Sequence, residues 1–342
     1  MKRRTFLQHA AVAAAATAIS RDALAADEQV TTFKLATVAP DGTPWAEQLG
    51  RMRKRVEEGT GKKTRLKAHM GGALGDELTT IAETHRGTIH IWGGSTASVA
   101  SVVPELNLFE LPYLFRTAEE CDHIIDNVLS DDITRALDKR GLSLVMWAEN
   151  GFRSFGTTWG PVKKPEDLKG RKMRSQESDA HLDMYRAMGA SPVPIPVTEV
   201  LSGLQTGAVE GFDNTPLFTF AASWHKGIKH YSLTEAIYQP GIVVANKKWW
   251  DALTPELRGM ITGDAKQESK LGRQGVRDIG PMLIENFRTD KIAVHELTAD
   301  ERAVFARLCD PVHEKWAKGK GKTAAPMLAK TKKALAELRK KT

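Results

Sequence analysis

The chain has 342 residues, more than one ordinary hydrophobic core holds, and this length predicts two domains. The 41% hydrophobic and 27% charged content is typical of a globular protein outside the membrane. The formal net charge is +7, but residues 1–25 carry +3 and residues 315–342 carry +9, which leaves −5 for the body. Because the basic residues are at the two ends, the charge argues against a nucleic-acid-binding protein.

Residues 1–25 are predicted to be an export signal. A basic start at Lys2, Arg3 and Arg4 precedes a short alanine-rich apolar run at 10–19, and Ala-Leu-Ala at 23–25 offers a cleavage site. The run is too short to span a bilayer. The arginine pair followed by Thr-Phe-Leu resembles a twin-arginine signal, with the general secretory route left open. We therefore expect a mature protein in the periplasm.

The region after the signal alternates short strands with amphipathic helices. Residues 31–38 alternate as a strand, and Trp45, Leu49, Met52 and Val56 fall on one face of a helix that ends at the glycines around residue 60. Strands at 64–69, 88–92 and 142–147 and a helix at 76–86 follow. This order predicts an α/β fold with a largely parallel sheet.

The segment PEDLKGRKMR, which ends at Arg174, contains the most informative residue. It indicates a short helical turn at 165–168, a break at Gly170 and a strand at 172–174, followed by a polar loop and a helix. Ligands of open α/β sheets bind beyond the carboxyl ends of strands. A guanidinium at such a position matches a carboxylate with two parallel hydrogen bonds, which lysine cannot do.

Two segments, 78–94 and 200–214, share one organisation. In each, a helix is closed by glycine (Gly87, Gly207), and the strand that follows contains an aromatic residue (Trp92, Phe212) before small or polar residues. Two such modules predict two lobes whose strand ends face a shared cleft. The two aromatic residues could line that cleft or belong to the core of each lobe.

Other motifs limit the function. The histidines have no metal-ligand spacing, and no nucleophile elbow, phosphate-binding loop or dinucleotide fingerprint is present in the sequence. This absence favours a protein that is not an enzyme. Cys121 and Cys309 are expected to be buried free thiols, although an oxidising compartment would allow them to pair. The lack of a flexible linker predicts that ordered strands cross between the lobes.

The segments ENGFRSFGT, PEDLKGRKMR and GASPVPIPVTEVLSGLQTGAVEGFDN together resemble the solute-binding proteins of tripartite ATP-independent periplasmic (TRAP) transporters, of the DctP-like type. MGGALGDELTTIAETHRGTIHIW upstream and GIVVANKKWWDALTPELRGMI downstream extend the resemblance over nearly the whole mature chain. It implies a type II-like periplasmic-binding fold with two lobes, crossing strands and a long connecting helix. The first lobe would comprise 26–150 and 240–280, and the second 151–239 and 281–314, with a basic C-terminal helix at 315–342.

The resemblance also implies a site. Arg174 would anchor the ligand carboxylate, Arg153 would assist, Asn214 would complete the polar contacts, and Asp213 is a weaker candidate. The remaining candidates are Trp92, Phe212 and Ser95. Some sialic-acid-binding members carry a glutamate where this chain has Ser95-Thr96, so that ligand is not supported. No cofactor is expected, but some relatives bind a metal near the Gln176 and Asp213 positions.

The function expected from this resemblance is capture of a small organic acid outside the cytoplasm and its delivery to the membrane permease subunits of a TRAP transporter. Two alternatives stay open at this stage. A sensor or scavenging protein of the same fold would feed a signalling partner, and a periplasmic enzyme would convert the bound carboxylate.

Overall fold

The computed structural model describes residues 30–319 and 323–341, so the predicted export signal lies outside the described residues. The strands are β1 Thr31–Thr37, β2 Thr64–His69, β3 Ile91–Ser95, β4 Leu142–Thr157, β5 Lys172–Ser175, β6 Ser191–Pro194, β7 Gly211–Asn214, β8 His230–Asn246 and β9 Ala293–Glu296. The helices are α1 Pro44–Gly59, α2 Glu77–Arg86, α3 Thr96–Val99, α4 Ala118–His123, α5 Ser130–Lys139, α6 Asp179–Ala187, α7 Val200–Thr206, α8 Pro216–Ala221, α9 Lys247–Ala252, α10 Pro255–Thr262, α11 Ala265–Thr289, α12 Ala299–Gly319 and α13 Ala324–Leu338. Within these two ranges, no helix is both long and apolar enough to cross a membrane.

Local chemistry explains most of the element boundaries. The Asp76 side chain accepts a hydrogen bond from the Thr79 N–H and caps α2, and Gly87 ends the helix in the left-handed region at φ 91°. The predicted strand at 88–92 begins later, at Ile91. The reason is that the N–H groups of Thr88 and Ile89 still bond back to the Glu83 carbonyl and are unavailable to the sheet.

One sheet runs through the described part of the chain in the order β2-β1-β3-β8-β4-β7-β5-β6, with β9 also paired to β8. The strands β1, β2 and β3 are parallel to one another, and so are β5, β6 and β7. Between these two groups lie β4 and β8, of 16 and 17 residues, which pair antiparallel along most of their length. The prediction that ordered strands cross between the lobes is confirmed.

The register brings the carboxyl ends of the two parallel groups together. At the end of β3, Ser95 pairs with Gly241 of β8, and at the end of β7, Asn214 pairs with Ser154 of β4. Both positions lie near the middle of the crossing strands, where Gly151 pairs with Gln239. The two groups therefore direct their carboxyl ends at one place, which is where ligands of such sheets bind.

Separate hydrophobic cores lie on the two sides of this junction. On the N-terminal side, α1 and α2 cover β1–β3, and the predicted face of α1 (Trp45, Leu49, Met52, Val56) is buried as expected. On the other side, α6 and α7 cover β5–β7. This two-lobed α/β architecture confirms the predicted fold class, whereas the residue boundaries assigned to each lobe stay a prediction.

The helices after β8 connect the lobes. The 25-residue helix α11 contacts β4, and its Arg277 donates to the Glu149 carboxylate at 2.7 Å. The buried residues Phe305 and Cys309 of α12 belong to one core, while Val312 and Trp316 of the same helix belong to another. Both cysteines are buried free thiols, as the sequence indicated.

Candidate functional site

A cavity lies where the carboxyl ends of the two strand groups meet, a position typical of small-molecule sites in α/β proteins. The polar and charged residues in its lining are Thr37, Thr43, Glu77, Ser95, Asn150, Arg153, Arg174, Gln176, Asn214, Thr215 and Gln239. The apolar part of the lining includes Val38, Trp45, Val197, Leu217 and Phe218.

Arg174 is a buried cation for which the described residues supply no counter-ion. It sits at the end of β5, is 3% exposed, and its Nε donates to the Ile195 carbonyl at 2.9 Å. Its guanidinium lies 5.3 Å from the centre of the Trp224 ring. No carboxylate among the described residues is within 4.0 Å of it. Burial, together with the neighbouring Arg153, lowers the pKa of Arg174 to about 10. The side chain is therefore still charged at neutral pH, and its charge is available to an anion.

Arg153 is equally buried but already paired. It projects from the crossing strand β4, and its Nε donates to Asp213 Oδ2 at 2.6 Å. Its Nη1 donates to Asn214 Oδ1 at 3.1 Å and to Gln239 Oε1 at 3.0 Å. Burial acts to lower the pKa of Arg153, but Asp213 outweighs this effect and the pKa is raised. The guanidinium thus borders the cavity as part of a neutralised pair.

Asp213 belongs to a polar network under the cavity and does not line it. Its Oδ1 accepts from the Tyr185 hydroxyl at 2.8 Å, and His181 Nδ1 lies 3.5 Å from its Oδ2. The other ring nitrogen of His181 lies 2.9 Å from Glu110 Oε2. Burial acts to raise the pKa of Asp213, but Arg153 and His181 hold the pKa well below its usual range. The network is a scaffold that fixes Arg153.

Two carboxylates set the protonation of His181. Burial by itself lowers the pKa of His181, but Asp213 and Glu110 raise it above its usual value. For Glu110, burial acts to raise the pKa, whereas hydrogen bonds from His181, Thr96 and Gln239 lower it. A charged His181 between two ionised carboxylates is consistent with both directions.

Asn214 faces the cavity from the end of β7. Its Oδ1 accepts hydrogen bonds from Arg153 and from the Thr215 N–H, so its amide nitrogen points the other way. Among the described residues no acceptor is assigned to that nitrogen. The N-cap of α8 is Thr215, whose side chain accepts from the Phe218 N–H. Helix capping therefore does not account for the Asn214 side chain.

Ser95 and Gln176 link the two sides of the cavity. Gln176 Nε2 donates to Ser95 Oγ at 2.8 Å and to Glu77 Oε2 at 3.2 Å, and Gln176 Oε1 accepts from Gln239 at 3.0 Å. The sequence-based reasoning missed Glu77 as a lining residue. In the sequence, Glu77 is an ordinary acidic residue in the first turn of a predicted helix. Only the packing of this helix next to β3 brings its side chain to the cavity.

The two aromatic residues predicted as cleft candidates, Trp92 and Phe212, do not border the cavity. Trp92 is fully buried in the N-terminal core and donates from Nε1 to Thr80 Oγ1, and Phe212 is fully buried against Trp224. Neither lines the cavity, because both lie near the start of their strands, away from the carboxyl ends that border the cavity, and their side chains belong to the hydrophobic cores. The aromatic residues that do line it are Trp45 and Phe218. In the sequence, Trp45 is predicted to be a core residue of a helix. In the structure, its ring packs so closely against Gly241 that a side chain at that position would clash with it.

Metal binding beside the ligand stays a prediction. Among the described residues, no group of three or more His, Cys, Asp or Glu side chains is arranged to hold a metal ion. Asp213 does not line the cavity, and its two carboxylate oxygens accept hydrogen bonds from Arg153 and Tyr185.

The family model of the bacterial extracellular solute-binding proteins, family 7 (DctP), matches residues 35–319. The 2,3-diketo-L-gulonate-binding periplasmic protein YiaO of Escherichia coli is 29% identical over 73% of this chain and 76% of its own length. The C4-dicarboxylate-binding periplasmic protein DctP of Rhodobacter capsulatus is 27% identical over 88% and 89%.

A solved structure of a sugar-acid-binding protein has the same fold as this chain. The sugar-acid-binding protein DctPAm of Advenella mimigardefordensis, in complex with galactonate, superimposes with a TM-score of 0.84 at 25% identity and covers 90% of this chain and 99% of its own. Sequence, fold and cleft agree with the resemblance seen in the motifs. The chain belongs to the DctP family of bacterial extracellular solute-binding proteins, the solute-binding components of TRAP transporters.

Proposed function

We propose that this protein binds a small organic acid in the cavity, with Arg174 as the carboxylate anchor, and presents it to the membrane permease of a TRAP transporter. The observation that carries the proposal is the buried Arg174 guanidinium, for which the described residues supply no counter-ion. A buried charge is costly unless it is paired, and a ligand carboxylate would pair it.

The other side chains have supporting roles in this proposal. The Asn214 amide nitrogen is placed to donate to the ligand, and Arg153 is held at the cavity wall by Asp213. Gln176, Ser95 and Gln239 connect the two sides of the cleft. Closure of the lobes over a ligand is favoured to the extent that these contacts and those of the ligand form only in the closed state.

A thermal-shift screen of mono-, di- and keto-carboxylates on the mature protein tests the anchor. We expect at least one carboxylate to raise the melting temperature, because a ligand that binds only the folded state stabilises it. Arg174→Ala should lower the affinity for that acid by about 100-fold, since truncating one member of a buried charged pair costs several kcal/mol.

The control is Arg171→Ala, which removes an arginine of the same strand region that pairs with Glu210 at the surface. It should bind the acid as the wild type does. Wild-type affinity in Arg174→Ala would contradict the anchor assignment.

The absence of catalysis and the role in transport are also part of the proposal. The bound acid should be recovered chemically unchanged after long incubation, which NMR of the released ligand measures; turnover would indicate an enzyme.

Deletion of the gene should abolish uptake of the acid by cells, and a copy carrying Arg174→Ala should not restore it. Uptake that persists without the gene would favour a sensor or scavenger.

Export to the periplasm with removal of residues 1–25 completes the proposal. Mass spectrometry of the protein from the periplasmic fraction should place the mature N-terminus next to Ala25.

A further inference from the structure

The charges that face the cavity are few and are distributed unequally. Among the described residues, its lining contains three charged side chains, Glu77, Arg153 and Arg174. Arg153 Nε lies 2.6 Å from Asp213 Oδ2, so the positive charge of Arg153 is already paired with a carboxylate of the protein. Arg174 is therefore the one cation of the described lining that a ligand can pair with.

Glu77 is a carboxylate held by neutral donors alone. Its Oε1 accepts from the Ser95 N–H at 2.8 Å, and its Oε2 accepts from Ser95 Oγ and Ser98 Oγ, both at 2.9 Å. Gln176 Nε2 adds a fourth hydrogen bond at 3.2 Å. No lysine, arginine or histidine of the described residues lies within 4.0 Å of it, so its negative charge is not compensated by an ion pair.

The position of this carboxylate is fixed. The Ser95 N–H and hydroxyl hold it at the end of β3, and the close approach is allowed because residue 94 is glycine: a Cβ there would clash with Glu77 Oε1. A carboxylate with two oxygens can accept about four hydrogen bonds, and Oε1 accepts only one here. Glu77 thus places a fixed negative charge in the cavity lining, and its Oε1 has an acceptor position that the described residues do not fill.

The positive charge of Arg174 and the negative charge of Glu77 act differently on the two ends of a ligand. A single carboxylate can pair with Arg174, while a hydroxyl group near Glu77 can donate to its free acceptor position. A second carboxylate would find no free cation in the described lining and would be buried beside Glu77, where like charges repel. The neutral polar side chains Asn150, Gln176 and Gln239 carry no positive charge that could compensate a second carboxylate, and the amide nitrogens of Gln176 and Gln239 each already donate two hydrogen bonds within the protein.

We propose that the cavity selects hydroxylated monocarboxylates and that Glu77 is the residue that excludes dicarboxylates. This inference rests on the proposed carboxylate-binding function and adds the substrate class. It makes Glu77 a specificity-determining residue: its removal changes which acids bind rather than whether acids bind.

Matched acids isolate the second carboxylate. L-threonate and L-tartrate share a four-carbon hydroxylated skeleton and differ in one carboxylate, and D-gluconate and D-glucarate do the same with six carbons. Isothermal titration calorimetry on the mature protein, extended to hydroxylated monocarboxylates of three to seven carbons, gives the monoacid-to-diacid affinity ratio. We expect the wild type to prefer the monoacid of a pair by about 10-fold or more, which is the effect of one unfavourable charged contact.

Glu77→Gln keeps the shape of the side chain and removes its charge. We expect it to reduce the ratio about 10-fold, mainly by tightening the diacid. The matched control is Glu177→Gln, which removes the same charge from an exposed residue near Arg174 that does not line the cavity. It should leave the ratio within about twofold of the wild-type value.

The outcomes separate this inference from the proposed function. Equal or tighter binding of diacids by the wild type, no binding of any hydroxylated monocarboxylate, or an unchanged ratio in Glu77→Gln would overturn the inference while carboxylate binding through Arg174 stands. An equal change in Glu177→Gln would also overturn it, because the effect would then be that of net charge. Loss of the proposed function has a different signature: no carboxylate of any class binds, or Arg174→Ala binds as well as the wild type.

Discussion

The two arginines of the cavity differ in their surroundings and not in their burial. Arg153 and Arg174 are 2% and 3% exposed, yet Arg153 is bonded to Asp213, Asn214 and Gln239, while Arg174 has one backbone carbonyl and an aromatic ring. The first is part of the folded scaffold, and the second carries a charge that the described residues do not neutralise. Burial therefore does not distinguish the two arginines; the lack of a counter-ion for Arg174 among the described residues is what makes it the proposed anchor.

Matched substitutions test this contrast most directly. Arg153→Met should lower the free energy of unfolding by about 3–5 kcal/mol, because it leaves the buried Asp213 carboxylate without its main partner. Arg174→Met should change the stability of the ligand-free protein by less than about 1 kcal/mol, since it leaves no carboxylate unpaired. Urea unfolding of both ligand-free variants measures the difference. A larger loss for Arg174→Met would contradict the assignment of the two roles.

The geometry of the anchor can be separated from its charge. Arg174→Lys keeps the cation but removes the planar pair of donors, so the affinity for the bound acid should fall by about 10-fold, less than in Arg174→Ala. Calorimetric titration of both variants with the same acid measures this. Lysine that binds as tightly as arginine would show that the site needs only a positive charge.

The network of Asp213, His181 and Glu110 should make the free energy of unfolding depend on pH. We expect this effect to be smaller than those of the Arg153 and Arg174 substitutions. The pKa of His181 is raised in the folded state, so its contribution is complete below the unfolded pKa near 6.5 and is lost as the pH rises through the higher folded value. The unfolding free energy of the wild type should therefore decrease between pH 6 and pH 9 more than that of His181→Gln. Urea unfolding over this range measures the difference.

His295 supplies the control for that experiment. It is only partly buried on β9, and its pKa is lowered by burial and by the neighbouring His230 and Lys163. His295→Gln should therefore not reproduce the effect of His181→Gln. Parallel pH profiles of the wild type and His181→Gln would show that His181 is not held in its charged form.

The local elements around the site could be predicted from the sequence because local chemistry controls them. The segment before Arg174 folds as predicted, with a helical turn at Pro165–Leu168 and the strand Lys172–Ser175. Gly87 and Gly207 both end their helices in the left-handed region, which is the reason glycine occurs there. These features depend on a few neighbouring residues.

The cavity wall could not be predicted in the same way. Trp92 and Trp45 are both apolar residues in regular elements, and nothing local shows that Trp45 would face the cavity and Trp92 the core. Glu77 is indistinguishable in the sequence from any acidic residue in a first helical turn. Its proposed role depends on Gly94 and Ser95, which belong to a different element, the strand β3.

The sequence by itself determined the α/β class, the family and the identity of Arg174 as the proposed anchor, because periodic patterns and motifs are encoded along the chain. Only the tertiary structure decided which charges are already paired. Arg153 meets Asp213 across 60 positions and Glu77 meets Ser95 across 18, through the pairing of strands and the packing of helices. The net charge offered to a ligand is the remainder after these pairings, and it exists only in the folded protein.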